Sequence, residues 1–427
     1  MIPKIVIIGG GWAGCAAASV ARKAGAEVDL IERTDMLLGT GLVGGIFRNN
    51  GRYTATEEMI NLGSDIFNLL DKNTTHKKVE FPGHHHASLY NVWTMEPIIK
   101  NYLRELGVNI LLQSRVTGLT SKDNKITAVI FKNGRVTGEA FIDATGSSAM
   151  PINCVKYGNG CAMCILRCHA FGSRVNLLSQ AGVECWSAKK SVDHIGAMSG
   201  SCKIAKESLA PKIVKELEEK GCALVPVPPE VKEDMNILSK KACQQYALRD
   251  FIDNLVLLDT GTVKLMTPYF PLENLRKIPG MEKARYEDPL AGGKGNSMRY
   301  FDFASCDETL KTIGEVDNLF CAGEKAGAMV GHTEVIVTGS LAAYNAVKHA
   351  IGEKLLRLPD SLAVGDFINS TIKKMKNPEG RSYKYTFSGS IYFERMKEKN
   401  LYSINDKEIA ERVKKTGLQG IFDRKMI

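Results

Sequence analysis

The stretch that decides the fold is KIVIIGGGWAG, residues 4–14, followed after a short interval by VDLIE, residues 28–32. The apolar run at the start of the first segment is typical of a strand buried on both faces. Gly9, Gly11 and Gly14 form the G-x-G-x-x-G turn after it, where glycine permits, in that order, a tight turn, close approach to a pyrophosphate and close helix packing. The segment therefore predicts a strand, turn and helix that bind an adenine dinucleotide.

The residues after this turn support the same interpretation. An alanine-rich helix predicted over residues 15–24 would point its free N-terminal amides at the phosphates. Glu32 follows a second strand at residues 27–31, where a carboxylate accepts hydrogen bonds from both ribose hydroxyls. Its charge would repel a 2′-phosphate. On their own, these features leave NAD and FAD open as the cofactor.

The composition is that of an ordinary globular protein. Of the 427 residues, 44% are hydrophobic and 24% are charged, and the length predicts two or three domains. No apolar run approaches the roughly 18 residues of a membrane span, and no signal peptide is recognisable. We therefore expect a cytoplasmic protein without a membrane partner, whose eleven cysteines are thiols, a catalytic pair or metal ligands rather than disulfides.

The net charge of +9 is concentrated late in the sequence. Residues 351–427 contain 16 Lys and Arg against 10 Asp and Glu. Such an excess would suit a polyanion such as RNA, although a solvated basic helical surface is the simpler explanation. RNA therefore stays open as a partner.

In two later segments, small residues follow the carboxyl end of a predicted buried strand. Asp143-Ala144-Thr145-Gly146 closes a block of strands predicted between residues 108 and 143. The second segment, residues 318–324, delivers Gly323 and Glu324 to the carboxyl end of a strand. A helix predicted over residues 335–350 follows, and its small residues predict close packing against a sheet or a cofactor: Gly339, Ala342, Ala343 and Ala346.

In this order, the three segments resemble those of FAD-dependent oxidoreductases with the glutathione-reductase-like two-dinucleotide-binding fold. MLLGTGLVGG, residues 36–45, looks like the glycine-rich loop of a broad group of bacterial FAD-dependent oxidoreductases. GHTEVIVTGSLAAYNA, residues 331–346, is similar to the C-terminal flavin helix of the GidA and TrmFO flavoproteins, which modify tRNA uridines. The resemblance covers residues 1–150 and 315–350 and implies FAD as the cofactor.

The resemblance implies a role for each matching position. Residues 9–14 would approach the pyrophosphate, Glu32 would hold the adenosine ribose, and the backbone of Val116 would meet the adenine edge. Residues 323–324 would lie along the ribityl chain and pyrophosphate, and the helix from Thr333 would point its amides at the flavin's pyrimidine side, where reduced flavin is negative. The full set of predicted cofactor-binding residues is Gly9, Gly11, Trp12, Ala13, Gly14, Glu32, Arg33, Val116, Ala144, Thr145, Gly146, Gly323, Glu324, Thr333 and Glu334.

Two departures weaken the transfer of a tRNA-modifying activity. The sequence lacks the long C-terminal region by which GidA exceeds it, and residues 39–50 lack the cysteine that TrmFO-type enzymes use in that neighbourhood. In addition, we find no second strand-turn-helix fingerprint for NAD(P)H, so the electron donor stays open.

Four of the cysteines are clustered, at positions 154, 161, 164 and 168. One hypothesis is an iron–sulfur site held by Cys154, Cys161, Cys164 and Cys168. A second is thiol chemistry beside a flavin, with Cys161, Cys164 or Cys168 exchanging electrons or attacking a substrate. The third is that they are small apolar residues in a packed loop. Zinc is disfavoured because four-thiolate zinc sites usually combine two separated C-x-x-C pairs.

Histidines supply two further candidates. His84, His85 and His86 precede an aromatic run, and adjacent side chains cannot all face one way on a regular element. They therefore predict either a substrate or proton-transfer role for one or two rings, or a solvent-exposed loop. His332 lies beside the predicted flavin helix, where it would hydrogen-bond the flavin or the substrate. The predicted catalytic residues are Cys161, Cys164, Cys168 and His332.

These observations predict an α/β protein, with a Rossmann-like FAD-binding domain, an inserted α+β substrate domain and a short helical C-terminal tail. The expected boundaries are 1–150 and 310–355 for the two parts of the FAD-binding domain, 151–309 for the insertion and 356–427 for the basic tail. The leading function is hydride transfer between FAD and an unidentified small-molecule substrate held between two domains. A folate- and FAD-dependent uridine modifier of tRNA or rRNA, a non-catalytic flavin-binding sensor and a homo-oligomeric state stay open.

Overall fold

The computed structural model describes residues 2–132, 134–146, 176–187, 189–191, 194–195, 197–199, 202–239, 244–266, 270–287, 297–299 and 302–427. The strands are β1 Lys4–Ile8, β2 Glu27–Ile31, β3 Ile46–Phe47, β4 Thr74–Phe81, β5 His84–Tyr90, β6 Asn109–Leu111, β7 Val116–Lys122, β8 Lys125–Phe131, β9 Gly134–Thr137, β10 Ala140–Asp143, β11 Cys185–Ser187, β12 Lys189–Ser191, β13 His194–Ile195, β14 Ala197–Ser199, β15 Cys202–Ile204, β16 Cys222–Pro226, β17 Asn254–Asp259, β18 Val263–Leu265, β19 Ser297–Arg299, β20 Asp302–Ala304 and β21 Leu319–Cys321.

The helices include two that matter for the site, the first helix, Trp12–Lys23, and the long helix, His332–Ala350. The others are Gly41–Gly44, Gly51–Asn61, Asp65–Lys72, Val92–Glu105, Leu177–Gln180, Pro211–Lys220, Asn236–Ser239, Asp250–Asp253, Leu272–Leu275, Ala363–Met375, Ser390–Glu398 and Asp406–Lys415. Among the described residues, no helix is both long enough and apolar enough to cross a lipid bilayer.

A five-stranded sheet in the order β21-β10-β1-β2-β6 forms the centre of the molecule. All of its pairings are parallel, and β1 lies between β10 and β2, with Ile5 opposite Ala140 and Val28. A central parallel strand is covered on both faces, which explains why its sequence is an unbroken apolar run. Because β21 joins strands from the start of the chain, the sheet is built from two stretches distant in sequence, and the predicted Rossmann-like α/β class is confirmed.

Two small antiparallel sheets flank this core in the first part of the chain. One has the order β7-β8-β9, with antiparallel pairing of β8 and β9. The other has the order β3-β5-β4, and β5 contains the histidine run. The expectation of an exposed loop there is wrong for His84, which is fully buried and has its Nδ1 2.9 Å from Asn49 Nδ2, whereas His85 pairs with Glu80 at the surface.

The region between β10 and β21 contains a four-stranded antiparallel sheet in the order β15-β18-β17-β16. Its inner face has its own apolar core, which includes Ile204, Leu217, Leu257 and Phe270. A helical turn, Asp250–Asp253, precedes β17, and its Asp side chains favour such local turns over strand pairing. This inserted sheet lies within the segment predicted to be the α+β substrate domain, whose boundaries, 151–309, stay a prediction.

The last 70 or so residues are part of the main core rather than a loosely attached tail. Phe367 and Phe387 are fully buried and stack with ring centroids 4.2 Å apart. Glu58 accepts hydrogen bonds from the backbone N–H groups of Ala363 and Val364, each at 2.9 Å, and so caps the helix Ala363–Met375 from another part of the chain. The C-terminal region is therefore helical, as expected, but structurally integrated.

Candidate functional site

The glycine turn lies at the carboxyl end of β1. Each of its three positions is occupied by glycine for a different structural reason. Gly9 has φ +105°, and a Cβ atom there would lie 2.5 Å from the carbonyl oxygen of Ala144. A Cβ atom at Gly14 would overlap the carbonyl oxygen of Gly9. At Gly11 the nearest atom to such a Cβ is the carbonyl oxygen of Leu38, 4.0 Å away. Gly11 thus leaves an opening that the described protein atoms do not fill, as close approach of a pyrophosphate requires.

Glu32 follows β2 and points back at this turn. Its Oε2 accepts a hydrogen bond from Gly10 N at 2.8 Å, and its Oε1 accepts from Thr34 N at 2.9 Å. The carboxylate is therefore fixed beside the glycine turn, and its oxygens keep lone pairs for further donors such as ribose hydroxyls. Next to it, burial lowers the pKa of Arg33, and the nearby Arg115 acts in the same direction. Val116 is buried at the start of β7.

Small residues surround the carboxyl ends of the neighbouring strands β10 and β21. Asp143 ends β10, and its Oδ1 accepts from Thr145 N at 3.0 Å and Thr145 Oγ1 at 2.7 Å. Ala144 is buried, whereas Gly146 has φ +70° and a Cβ atom there would meet nothing within 4 Å. After β21, Gly323 has φ +65°, and a Cβ atom there would lie 3.0 Å from that of Ala13. The predicted residues of these three segments therefore lie at one edge of the sheet.

The two functional helices start at the same edge. The first helix begins at Trp12 directly after the glycine turn, and the long helix begins at His332 after Gly331, which has φ +134°. They pack closely, because a Cβ atom at Gly339 would overlap the carbonyl oxygen of Ala13. Thr333 is fully buried in the first turn of the long helix, and its Oγ1 has no hydrogen-bond partner in the part of the chain that is described. Two helix N-termini thus favour anionic groups at this edge.

An aromatic cluster holds His332. Tyr90 Oη donates to the carbonyl oxygen of Gly41 at 2.9 Å, accepts from Trp12 Nε1 at 3.1 Å and lies 3.4 Å from His332 Nδ1. The ring of His332 lies against Gly44, where a Cβ atom would overlap it. Burial raises the pKa of Tyr90 above its ordinary value, so its hydroxyl stays protonated and orients the cluster.

A pair of lysines connects the inserted sheet to this cluster. Lys203 and Lys264 are directly opposite each other on β15 and β18. Lys264 Nζ donates to the carbonyl oxygens of Val43 and Gly44 at 2.8 and 2.7 Å, and Lys203 Nζ donates to that of Leu42 at 3.0 Å. Burial lowers the pKa of Lys203. The two ammonium groups therefore bind the C-terminal end of the short helix Gly41–Gly44, where backbone carbonyls are unpaired.

Glu334 was predicted to bind the cofactor, but its carboxylate has partners inside the protein. Its Oε1 accepts from Arg52 Nε at 3.0 Å, Thr386 Oγ1 at 2.6 Å and Phe387 N at 2.8 Å. The side chain is fully buried, so this network connects the start of the long helix to the C-terminal region. A direct role toward a cofactor stays a prediction, and the side-chain contacts favour a positioning role.

The predicted cysteine site, Cys154, Cys161, Cys164 and Cys168, lies outside the described residues. Within the described part of the chain, no group of three His, Cys, Asp or Glu side chains has the arrangement of a metal site. Sequence reasoning did not identify Tyr90, Arg52, Lys203, Lys264 or the buried Lys325. None of these residues belongs to a spacing pattern in the sequence. Their buried positions and contacts are therefore identified only from the folded structure.

Comparison with known proteins identifies the family of this chain. The sequence matches the family described as glucose inhibited division protein A over residues 4–247 and 259–354. A search of curated proteins gives no match. Among solved structures, Aquifex aeolicus GidA in its form II crystal is similar, with a TM-score of 0.67 and 16% identity over 97% of this chain and 73% of that one. Its form I crystal has a TM-score of 0.60 and 14% identity over 98% and 78%. This chain belongs to the glucose inhibited division protein A (GidA) family.

Proposed function

We propose that this protein is an FAD-dependent oxidoreductase that transfers hydride between bound flavin and a substrate held between the central and inserted sheets. The observation that carries the proposal is Gly11. The backbone conformation and packing at Gly11 do not require glycine, since its φ is −68° and a Cβ atom would meet no atom closer than 4.0 Å. A ligand that approaches the backbone supplies the missing reason.

The described residues fit FAD in three places. The amides at the start of the first helix would hold the pyrophosphate, together with residues 9–14. Glu32 would accept from the adenosine ribose, and the amides at Thr333 would face the pyrimidine side of the flavin. When bound, FAD would supply the hydride chemistry. Ala144, Thr145 and Gly146 would leave space along its path.

His332 is the proposed catalytic residue among those described. Its ring is held by Tyr90 and by the flat surface of Gly44, at the start of the helix that would face the flavin. Histidine holds or releases a proton near neutral pH, so it would donate a hydrogen bond to the substrate or take up its proton. Lys203 and Lys264 would hold the short helix Gly41–Gly44 in place beneath this ring.

A thiol role for Cys161, Cys164 or Cys168, and an iron–sulfur cluster on these three with Cys154, stay proposals from the sequence. The two differ in what they require. A cluster needs iron and inorganic sulfide in equal amounts, whereas a thiol pair needs neither. NAD(P)H as the external donor is likewise open.

A second candidate function is uridine modification in tRNA or rRNA with FAD and folate. Membership of the GidA family supports it, since the sequence resembles flavoproteins that modify tRNA uridines. It requires binding to RNA that weakens steeply as salt concentration rises. The basic C-terminal region would supply positive charge for that contact.

The proposal is tested by purifying the protein, reconstituting it with FAD and recording its absorbance anaerobically, with parallel iron and sulfide analysis. We expect flavin bands from bound FAD in the wild type and a loss of bound FAD in Gly11→Ala. Absence of a flavin band after reconstitution would overturn the proposal. Flavin without iron would exclude the cluster, and flavin that is reduced chemically but turns over no substrate or RNA would indicate a sensor.

A further inference from the structure

Lys325 is a buried cation without a counter-ion among the described residues. It ends the short 3-10 helix Gly323–Lys325 directly after β21, and the residue is only 3% exposed. Within the described residues, its ammonium has no carboxylate within 4.0 Å and donates no hydrogen bond. A buried charge without a counter-ion is strongly unfavourable, so its presence calls for a partner outside the described protein.

The position of Lys325 is close to the proposed cofactor site. Gly323 packs against Ala13 at the start of the first helix, and Gly323 N donates to Thr338 Oγ1 of the long helix at 2.9 Å. The segment is therefore fixed between the two helices that start at this edge of the sheet. The short helix Gly323–Lys325 also contacts β20, the strand that pairs with β11, so Lys325 lies beside both the central sheet and this pair of strands. Its charge acts to lower the pKa of the Cys321 and Cys185 thiols, against the larger effect of burial.

A second, independent observation is the hydroxyl of Thr333. The residue is fully buried, and Thr333 Oγ1 is without a hydrogen-bond partner among the described residues. It follows Gly331, which gives the long helix no side-chain cap for its first amides. Residues 325–333 thus contain a cation, a hydroxyl and helix amides that all donate hydrogen bonds, and such a set is complementary to an anion.

We propose that Lys325 binds an anionic group, a phosphate or carboxylate, of a ligand at this edge of the sheet. This inference rests on the proposed function, since the ligand is either the pyrophosphate of FAD or an anionic group of the substrate. Lys325 is then retained at the expense of stability in the ligand-free protein, as binding residues often are.

The experiment compares wild type, Lys325→Gln and Lys325→Arg, with Lys212→Gln at an exposed position of the helix Pro211–Lys220 as the matched control. Calorimetric titrations of the apoprotein use FAD, riboflavin and inorganic pyrophosphate. A pyrophosphate contact predicts at least tenfold weaker binding of FAD and pyrophosphate to Lys325→Gln, with riboflavin unchanged and Lys325→Arg close to wild type. A substrate contact predicts that Lys325→Gln binds FAD as tightly as wild type. In that case phosphate or acetate added to the holoprotein should shift the flavin absorbance, and Lys325→Gln should need a tenfold higher anion concentration than wild type for the same shift.

Unchanged affinity for every probe in Lys325→Gln would overturn the inference. Failure of the wild type to bind FAD would instead reject the proposed function, and the pyrophosphate titration would still test Lys325. Thermal unfolding of apoprotein Lys325→Met supplies a separate readout. We expect a melting temperature at or above that of wild type, because a buried unpaired charge is removed, whereas a lower one would indicate a structural role and contradict the inference.

Discussion

At the scale of single residues, the three glycines of the turn separate folding from binding. The sequence pattern gives them equal weight, whereas the structure shows that Gly14 is required by packing and Gly11 is not. We expect Gly14→Ala to lower the free energy of unfolding by about 3 kcal/mol or more, because its Cβ would overlap a backbone oxygen. Gly11→Ala should stay within about 0.5 kcal/mol of wild type but bind FAD at least tenfold more weakly. Chemical denaturation and FAD titration check both, and wild-type FAD affinity in Gly11→Ala would contradict the prediction.

Glu334 gives a second prediction at this scale, because its carboxylate accepts from Arg52 in the interior. Glu334→Gln removes the carboxylate charge that pairs with the buried guanidinium of Arg52, although Arg52 keeps its hydrogen bonds to Asn49 and Thr386. We therefore expect Glu334→Gln to lower the free energy of unfolding by about 3 kcal/mol. Glu353→Gln is the control, since Glu353 pairs with Lys348 at the surface, where such pairs contribute about 0–1 kcal/mol. Urea denaturation measures both. A variant as stable as wild type that no longer bound FAD would instead indicate direct cofactor contact.

At the scale of elements, the sequence predicted a strand or helix correctly where a local residue pattern determines that element. The apolar runs of β1, β10 and β21 and the small-residue face of the long helix are local signals, and the sheet and helix packing agree with them. The contact of β15 and β18 with the loop at residues 42–44 has no such signal. Lys203 and Lys264 are far from each other and from the loop in sequence, and only strand register brings them together.

This contact predicts that Lys264 fixes the loop beneath His332. Lys264→Met loses two hydrogen bonds from a charged donor, so we expect a loss of about 2 kcal/mol in the free energy of unfolding. We also expect faster amide hydrogen exchange in residues 41–45, because the loop loses its contact with the inserted sheet. Lys212→Met, at an exposed position of the helix Pro211–Lys220, is the control. Exchange in residues 41–45 as slow as in wild type would show that other contacts hold the loop.

At the scale of the whole molecule, the sequence predicted an appended basic tail, whereas the C-terminal region completes the core. The difference arises from contacts over very long sequence separations, such as Arg52 with Thr386 and Glu58 with the helix Ala363–Met375. A count of charges near the end of a sequence cannot show which side chains face inward. The predicted RNA contact therefore depends on the exposed lysines of this region and not on the region as a separable unit.

Glu58 makes this docking sensitive to pH. Burial raises the pKa of its carboxyl group to about 7, while the backbone N–H groups of Ala363 and Val364 and the guanidinium of Arg412 act in the opposite direction. Because the pKa in the folded state is above the usual value of 4.5, the folded protein binds this proton more tightly than the unfolded chain. The stabilisation is complete below pH 4.5 and is lost as the pH rises toward 7.

We therefore expect the free energy of unfolding of the wild type to fall by about 3 kcal/mol more than that of Glu58→Gln between pH 4.5 and 8. Glutamine has no proton to lose in this range, so the difference between the two proteins isolates Glu58 from every other titrating group. Urea denaturation at half-unit pH steps measures it, with tryptophan fluorescence as the probe. Parallel pH profiles for the two proteins would contradict the prediction. A steeper fall in the wild type would show that docking of the C-terminal region depends on the protonation of a single buried carboxyl group.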